Sequence, residues 1–232
     1  MLLDLIRDLS AGAAPSEVVP AMLFVVICVL LSLSMHECAH GFAAYKLGDP
    51  TARNLGRLTL SPAKHLDPIG TLCMLLFGFG WAKPVPVNAR YFKKPRRDMA
   101  ITAFAGPASN LILAFVALLI FDIILALPIY LAEGSLQYNI LIYTLTFFRY
   151  LHTLNLYLAI FNLIPIPPLD GSRLLFIFLP DRLYFGLMQY EWVIHIVILA
   201  LLWTGFLSVP LSFICGLISN GMDFLISLIP GL

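Results

Sequence analysis

The sequence predicts an all-α polytopic membrane protein of about five transmembrane helices, six being the alternative, with one re-entrant segment and a short β-hairpin. Three observations carry this. The 232 residues are 60% hydrophobic and only 12% charged, with a mean hydropathy of +0.92, whereas a soluble domain is about one-quarter charged. Apolar runs cover about 19–46, 66–80, 100–132, 136–164, 184–204 and 206–229, and a span needs ~20 apolar residues. The cations are also segregated. Of 14 Lys and Arg, all but four fall between Lys46 and Arg97. The formal net charge of +1 provides no field for nucleic acid. The four cysteines, Cys28, Cys38, Cys73 and Cys215, form no C-x-x-C pair and read as buried free thiols.

Residues 1–17 read as an N-terminal segment lying at the interface, with Leu2, Leu3, Leu5, Ile6 and Leu9 on a short amphipathic helix; a frayed terminus is the plain alternative. Residues 18–180 are the expected core, and 181–232 add further C-terminal transmembrane helices. The run at 66–80 is short for a span and holds Pro68, Gly70, Gly78 and Gly80, poor residues for a helix interior. If it dips in and returns, the cations from Lys46 to Arg97 all share one side with Arg173 and Arg182, leaving Arg7 and Arg149 opposite. The positive-inside rule favours that arrangement, with the N-terminus outside and the C-terminus inside. After it, Trp81 to Asn88 (WAKPVPVN) alternates apolar residues with prolines and predicts an extended hairpin whose Pro84 and Pro86 suit an edge strand.

The chemistry begins at His36-Glu37-Cys38-Ala39-His40, at the end of the first apolar run. Histidines four residues apart on a helix share a face and can reach one zinc, and Glu37 beside them can act on a water. Three ionisable groups this close in a membrane helix cost ~2–3 kcal/mol each unless a metal or aqueous cavity uses them. Cys38 points roughly 200° away from His36 and stays off that face. A catalytic zinc needs a third protein ligand. Asp122, Glu133, Glu191 and Asp223 are the other acids in or near the spans, but Asp170 is the best candidate. It ends Asn162 to Gly171 (NLIPIPPLDG), where three prolines break the helix and Gly171 is expected to permit an unusual backbone angle. Broken helices inside a membrane line cavities or are buried in protein. Asn162, in the last turns before the break, can face the same cavity or make an interhelical hydrogen bond. Asn155 and His152 read as packing or polar lining, and His195, in a later span, as structural.

HECAH together with NLIPIPPLDG resembles the site-2 protease family of intramembrane zinc metalloproteases. Further resemblance lies in Gly48 to Ala52 (GDPTA), Leu60 to Thr71 (LSPAKHLDPIGT), Gly80 to Asn88 (GWAKPVPVN) and Ala105 to Asn110 (AGPASN), over roughly residues 18–180. The similarity is to the compact prokaryotic branch without a PDZ domain. Ser172 stands where that family often has a second glycine after the aspartate.

The resemblance implies an enzyme that hydrolyses peptide bonds within or near transmembrane segments, in regulated intramembrane proteolysis. It implies one zinc ion held by His36, His40 and Asp170, with Glu37 as general base and Asn162 stabilising the developing oxyanion. His65, at a position where the branch has a histidine, either enters the cavity or fixes a loop. Val85 and Val87 are the expected substrate-binding residues if an extended substrate adds to the hairpin as a strand. Expected partners are the lipid bilayer and single-pass membrane substrates such as anti-sigma factors or remnant signal peptides, with no nucleic acid. Self-association into a homo-oligomer is left open. The expected location is the cell membrane, multi-pass, with the active site near the cytoplasmic side. The alternatives are a non-catalytic zinc-containing membrane protein that binds transmembrane clients, and a zinc transporter. The nearly continuous apolar spans argue against a transporter, because they lack a polar relay.

Overall fold

The computed structural model describes residues 15–77, 82–128, 131–175 and 177–231. Met1 to Ala14 of the interfacial segment expected over 1–17, and Gly78 to Trp81, where the expected hairpin begins, lie outside the described residues. Among the described residues nine α-helices follow one another: α1 Pro15–Lys46, α2 Thr51–Asn54, α3 Pro68–Phe77, α4 Pro95–Ala126, α5 Leu136–Leu163, α6 Asp170–Leu175, α7 Asp181–Met188, α8 Glu191–Trp203 and α9 Ser208–Ser227. No sheet occurs among the described residues. Three helical segments, Val18–Lys46, Pro95–Ala126 and Ser208–Ser227, are long and apolar enough to cross a bilayer. The chain is an all-α membrane protein.

Local chemistry sets the helix ends. Helix α4 starts earlier than the apolar run at 100 suggested. Pro95 occupies its first turn, where a missing N–H costs nothing, and the Asp98 carboxylate accepts the Lys94 N–H at 2.9 Å. Ser135 caps α5 by accepting the Tyr138 N–H at 3.2 Å. The same helix stops at Leu163, just before Pro165 removes the next donors. Read as one run over 184–204, the next segment is instead two helices, α7 and α8, separated by a turn at Gln189 and Tyr190. At 1.5 Å per residue, the 13 residues of α8 rise ~20 Å, short of the ~30 Å hydrocarbon core.

Helices α1, α4 and α5 form the packed centre. Small residues face inward. Ala100, Ala103, Ala114, Ala117 and Ala159 are all buried, which lets the backbones approach closely, as packing in lipid requires. Ala114, Leu156 and Ile160 pack with Leu211 and Cys215 of α9, while Cys28, Ala117 and Leu151 form a second cluster. Leu23, Ile27 and Leu31, successive turns of one α1 face, are exposed and suit contact with lipid.

The segment containing α3 leaves and returns at one place. Leu66 and Ala82 form an isolated antiparallel bridge, and Lys83 N–H donates to the His65 carbonyl at 2.8 Å. This single bridge joins the two ends of the 66–80 segment, and no hairpin forms among the described residues 82–88. Beyond it the chain stays extended to Asn88 without a strand partner, then turns through a 3-10 turn at Ala89–Tyr91.

Candidate metal centre

Helix α1 places His36 and His40 on one face, and the break after α5 returns the chain to them at Asp170, the first residue of α6. Their ligand atoms converge. His36 Nε2 lies 3.0 Å from His40 Nε2 and 3.0 Å from Asp170 Oδ2, and His40 Nε2 lies 3.2 Å from the same oxygen. All three ligand atoms lie within 4.8 Å of one another. Both histidines are buried, at 5% and 8% exposure.

The outer ring nitrogen decides what this cluster can hold. His40 Nδ1 is 2.7 Å from the Thr102 backbone carbonyl, which can only accept. Nδ1 therefore carries a proton, and in the neutral ring Nε2 points its lone pair at the carboxylate oxygen. Two lone pairs at this distance repel unless a cation lies among them. Two imidazoles and a carboxylate, with the imidazole held from behind by a carbonyl, are the donor set and outer contact that zinc takes. The residues fit a zinc ion.

Two glycines make the convergence sterically possible. A Cβ at Gly106 of α4 would collide with His40 Nε2 and Cε1 and stand 2.7 Å from His36 Cε1. A Cβ at Gly171 would collide with the carbonyls of Leu163 and Ile164, 2.6 Å from the Leu163 carbonyl carbon. Gly171 was expected to serve an unusual backbone angle, but its φ is not positive. The residue is small so that α6 can seat against the end of α5.

The other expected site residues divide. Glu37 and Asn162 line a cleft of about 250 Å³ together with His36, Ala82, Pro168 and Leu169. Asn162 Nδ2 donates back to the Leu158 carbonyl at 2.9 Å, which uses one of its two amide hydrogens. The Glu37 carboxylate is held: its Oε2 accepts the Val85 backbone N–H at 2.7 Å. The Val85 side chain is buried against Gly41, and its N–H is no free edge donor. Arg57 donates to the Lys83 and Pro84 carbonyls at 2.6 and 3.2 Å, and Asp49 accepts the Asn88 N–H at 2.6 Å. Glu37 is thus one of several side chains that pin the extended segment carrying Val85 and Val87.

The structure does not bring His65 to the metal cluster. It is buried, with Nε2 2.7 Å from the Thr59 carbonyl, and its own carbonyl anchors Lys83. Of the two roles left open for it, the geometry is that of a loop anchor. His152 links α5 to the Ala114 carbonyl of α4 and to Ser219 Oγ of α9, at 3.0 and 3.1 Å. His195, read as structural, lines the cleft instead, with Ile198, Leu199 and Leu202 of α8. Its signal in the sequence was a lone histidine in an apolar helix, which also fits a buried structural residue. Thr102 acts through its backbone, so no side-chain pattern could have revealed it.

Comparison with known proteins places these residues in a family. Residues 24–130 and 123–204 match the peptidase family M50. The chain is 45% identical over 180 residues to YwhC of Bacillus subtilis, provisionally named a zinc metalloprotease, covering 78% of this chain and 80% of that one. It is 32% identical over 165 residues to Rip2 of Mycolicibacterium smegmatis, named in the same way, covering 68% of this chain and 58% of the relative. An archaeal relative of the same designation, MJ0611 of Methanocaldococcus jannaschii, is 34% identical over 108 residues, 46% of this chain and 49% of its own length. No solved structure matches the chain.

Proposed function

The chain belongs to peptidase family M50, a zinc metalloprotease carried in a membrane, and we propose that it hydrolyses peptide bonds within or near the transmembrane segments of single-pass membrane proteins. The observation that carries this is the convergence of His36, His40 and Asp170, with His36 and its neighbour Glu37 lining a cleft of the helix bundle. A zinc ion held there acidifies water and polarises a carbonyl. Glu37 takes the proton from the attacking water and passes it to the departing amine. Asn162, whose Nδ2 gives one hydrogen to the Leu158 carbonyl and keeps the other, donates that second hydrogen to the substrate carbonyl and holds it in place.

A transmembrane substrate closes its backbone hydrogen bonds on itself and must unwind before attack. The extended segment at Val85 and Val87 is where an unwound substrate adds as a strand. Because Glu37 already accepts from Val85, an incoming strand competes with the general base for that N–H. Regulatory proteins such as anti-sigma factors, and remnant signal peptides, are the substrate classes we propose.

The proposed topology has five spans, with 66–80 re-entering and the catalytic cleft near the cytoplasmic face of the cell membrane. One fact supports the re-entrant reading: Leu66 bridges Ala82 across the segment's two ends. The division into an interfacial segment at 1–17, a protease core at 18–180 and additional helices at 181–232 is retained in this proposal.

The test is elemental analysis of detergent-purified protein beside a cleavage assay on a single-pass reporter. About one zinc per chain is expected, lost in His36→Ala and in Asp170→Ala. Glu37→Gln is expected to keep zinc and lose cleavage. Zinc retained in Asp170→Ala, or cleavage retained in Glu37→Gln, overturns the assignment.

A further inference from the structure

Behind the metal cluster lies a second polar group that the reaction itself does not use. Ser32 of α1, Asn110 of α4 and Asn155 of α5 are each 0% exposed, and each pair of these helices meets there. Buried amides in a membrane bundle need every polar atom satisfied, and here the donors run in one direction. Ser32 Oγ donates to the Cys28 carbonyl at 2.6 Å, so its lone pair is free to accept from Asn155 Nδ2 at 2.8 Å. The second Asn155 Nδ2 hydrogen goes to the Leu151 carbonyl at 2.8 Å. Asn155 Oδ1 therefore faces Asn110 as an acceptor and takes an Nδ2 hydrogen at 2.6 Å. The other Asn110 hydrogen reaches the Ser32 carbonyl at 3.3 Å. Only Asn110 Oδ1 remains, 2.5 Å from His36 Nδ1.

Neither amide can turn over. A reversed Asn155 points its oxygen at the Leu151 carbonyl, and a reversed Asn110 points its oxygen at two acceptors. The direction of the chain is fixed at its far end by helix backbone carbonyls, which never donate. We propose that Ser32, Asn155 and Asn110 are positioning residues that fix the His36 ring, holding its proton on Nδ1 so that Nε2 presents a lone pair to the metal. Asn110 does for His36 what the Thr102 carbonyl does for His40, through side chains in place of backbone. The inference rests on the zinc site of the proposed function.

The experiment is zinc affinity of the purified full chain by chelator competition, with visible absorption of the cobalt-substituted protein as a second readout. Outer contacts of this kind are worth about 10–100-fold in metal affinity. Asn110→Leu is expected to weaken zinc by that factor and to alter the cobalt spectrum. Asn155→Ala, which touches neither the histidine nor the metal, is expected to weaken zinc in the same direction, and decides the matter if Asn110→Leu does not fold. His152→Leu breaks a buried link between the same two helices outside the chain and is expected to bind zinc as the wild type does. Wild-type affinity in the folded Asn110 or Asn155 variant overturns the proposal. So does a loss in His152→Leu equal to theirs. Absence of zinc binding in the wild type is a different failure, that of the metal site itself.

Discussion

At Gly106 a single hydrogen in place of a methyl decides whether two imidazoles can converge. The Cβ of an alanine there would occupy the space of the His40 ring and crowd His36. Overpacking of this kind costs ~1–3 kcal/mol, and here the ring must move away from its partners to relieve it. Gly106→Ala is expected to weaken zinc by roughly 5- to 150-fold on that scale, at 1.4 kcal/mol per decade. Gly216→Ala, with nothing within 4 Å, is the control and is expected to bind normally. Chelator competition reads both. The three residues that could hold a metal, His36, His40 and Asp170, were legible in the sequence, because four-residue histidine spacing and a proline-broken helix with an aspartate have few other uses in an apolar chain. Their supports were less so. Asn110 stood within a recognisable motif, yet nothing local said which helix it faced. Ser32 looks like any small polar residue in a span. His65 shows the converse: a histidine in a matching motif is buried through a loop carbonyl at Thr59 and anchors the chain.

Elements were read less well than residues, for reasons of geometry. Composition marks where a chain can enter a membrane, but a turn between two apolar helices leaves little trace. Residues 184–204 contain no proline, and the break at Gln189 and Tyr190 was missed. The break matters because α8 then forms a wall of the cleft through His195, Ile198, Leu199 and Leu202. His195→Leu is expected to keep zinc and lower kcat/KM for a membrane reporter; unchanged cleavage would remove α8 from the substrate path. The extended segment makes a sharper prediction. Val85→Pro removes the N–H that holds Glu37, a contact to a carboxylate worth ~1.5–3 kcal/mol. Val87→Pro removes a donor two residues further on, which faces the same side of an extended chain, without touching Glu37. If the segment accepts substrate as a strand, both variants lose cleavage and keep zinc. Full activity in Val87→Pro would limit the segment's role to positioning the general base.

For the whole molecule, charge and geometry converge on one arrangement from independent directions. The cations from Lys46 to Arg97 argue that both ends of the 66–80 segment lie on one side. The bridge from Leu66 to Ala82 and the bond from Lys83 N–H to the His65 carbonyl bring those ends together in space. A crossing segment would put Lys64 and Lys93 on opposite faces; a re-entrant one puts them on the same face. Both are exposed, as is Glu133 in the connection after α4. Single cysteines at these positions, in a chain whose own four cysteines are replaced, separate the arrangements with a membrane-impermeant maleimide. Lys64→Cys and Lys93→Cys are expected to label only after the cells are opened, and Glu133→Cys in intact cells. Labelling of Lys93→Cys but not Lys64→Cys in intact cells would establish six spans. It would also put the extended segment on the far side from the loops now packed against it, contrary to the bonds that Arg57 and Asp49 make to it.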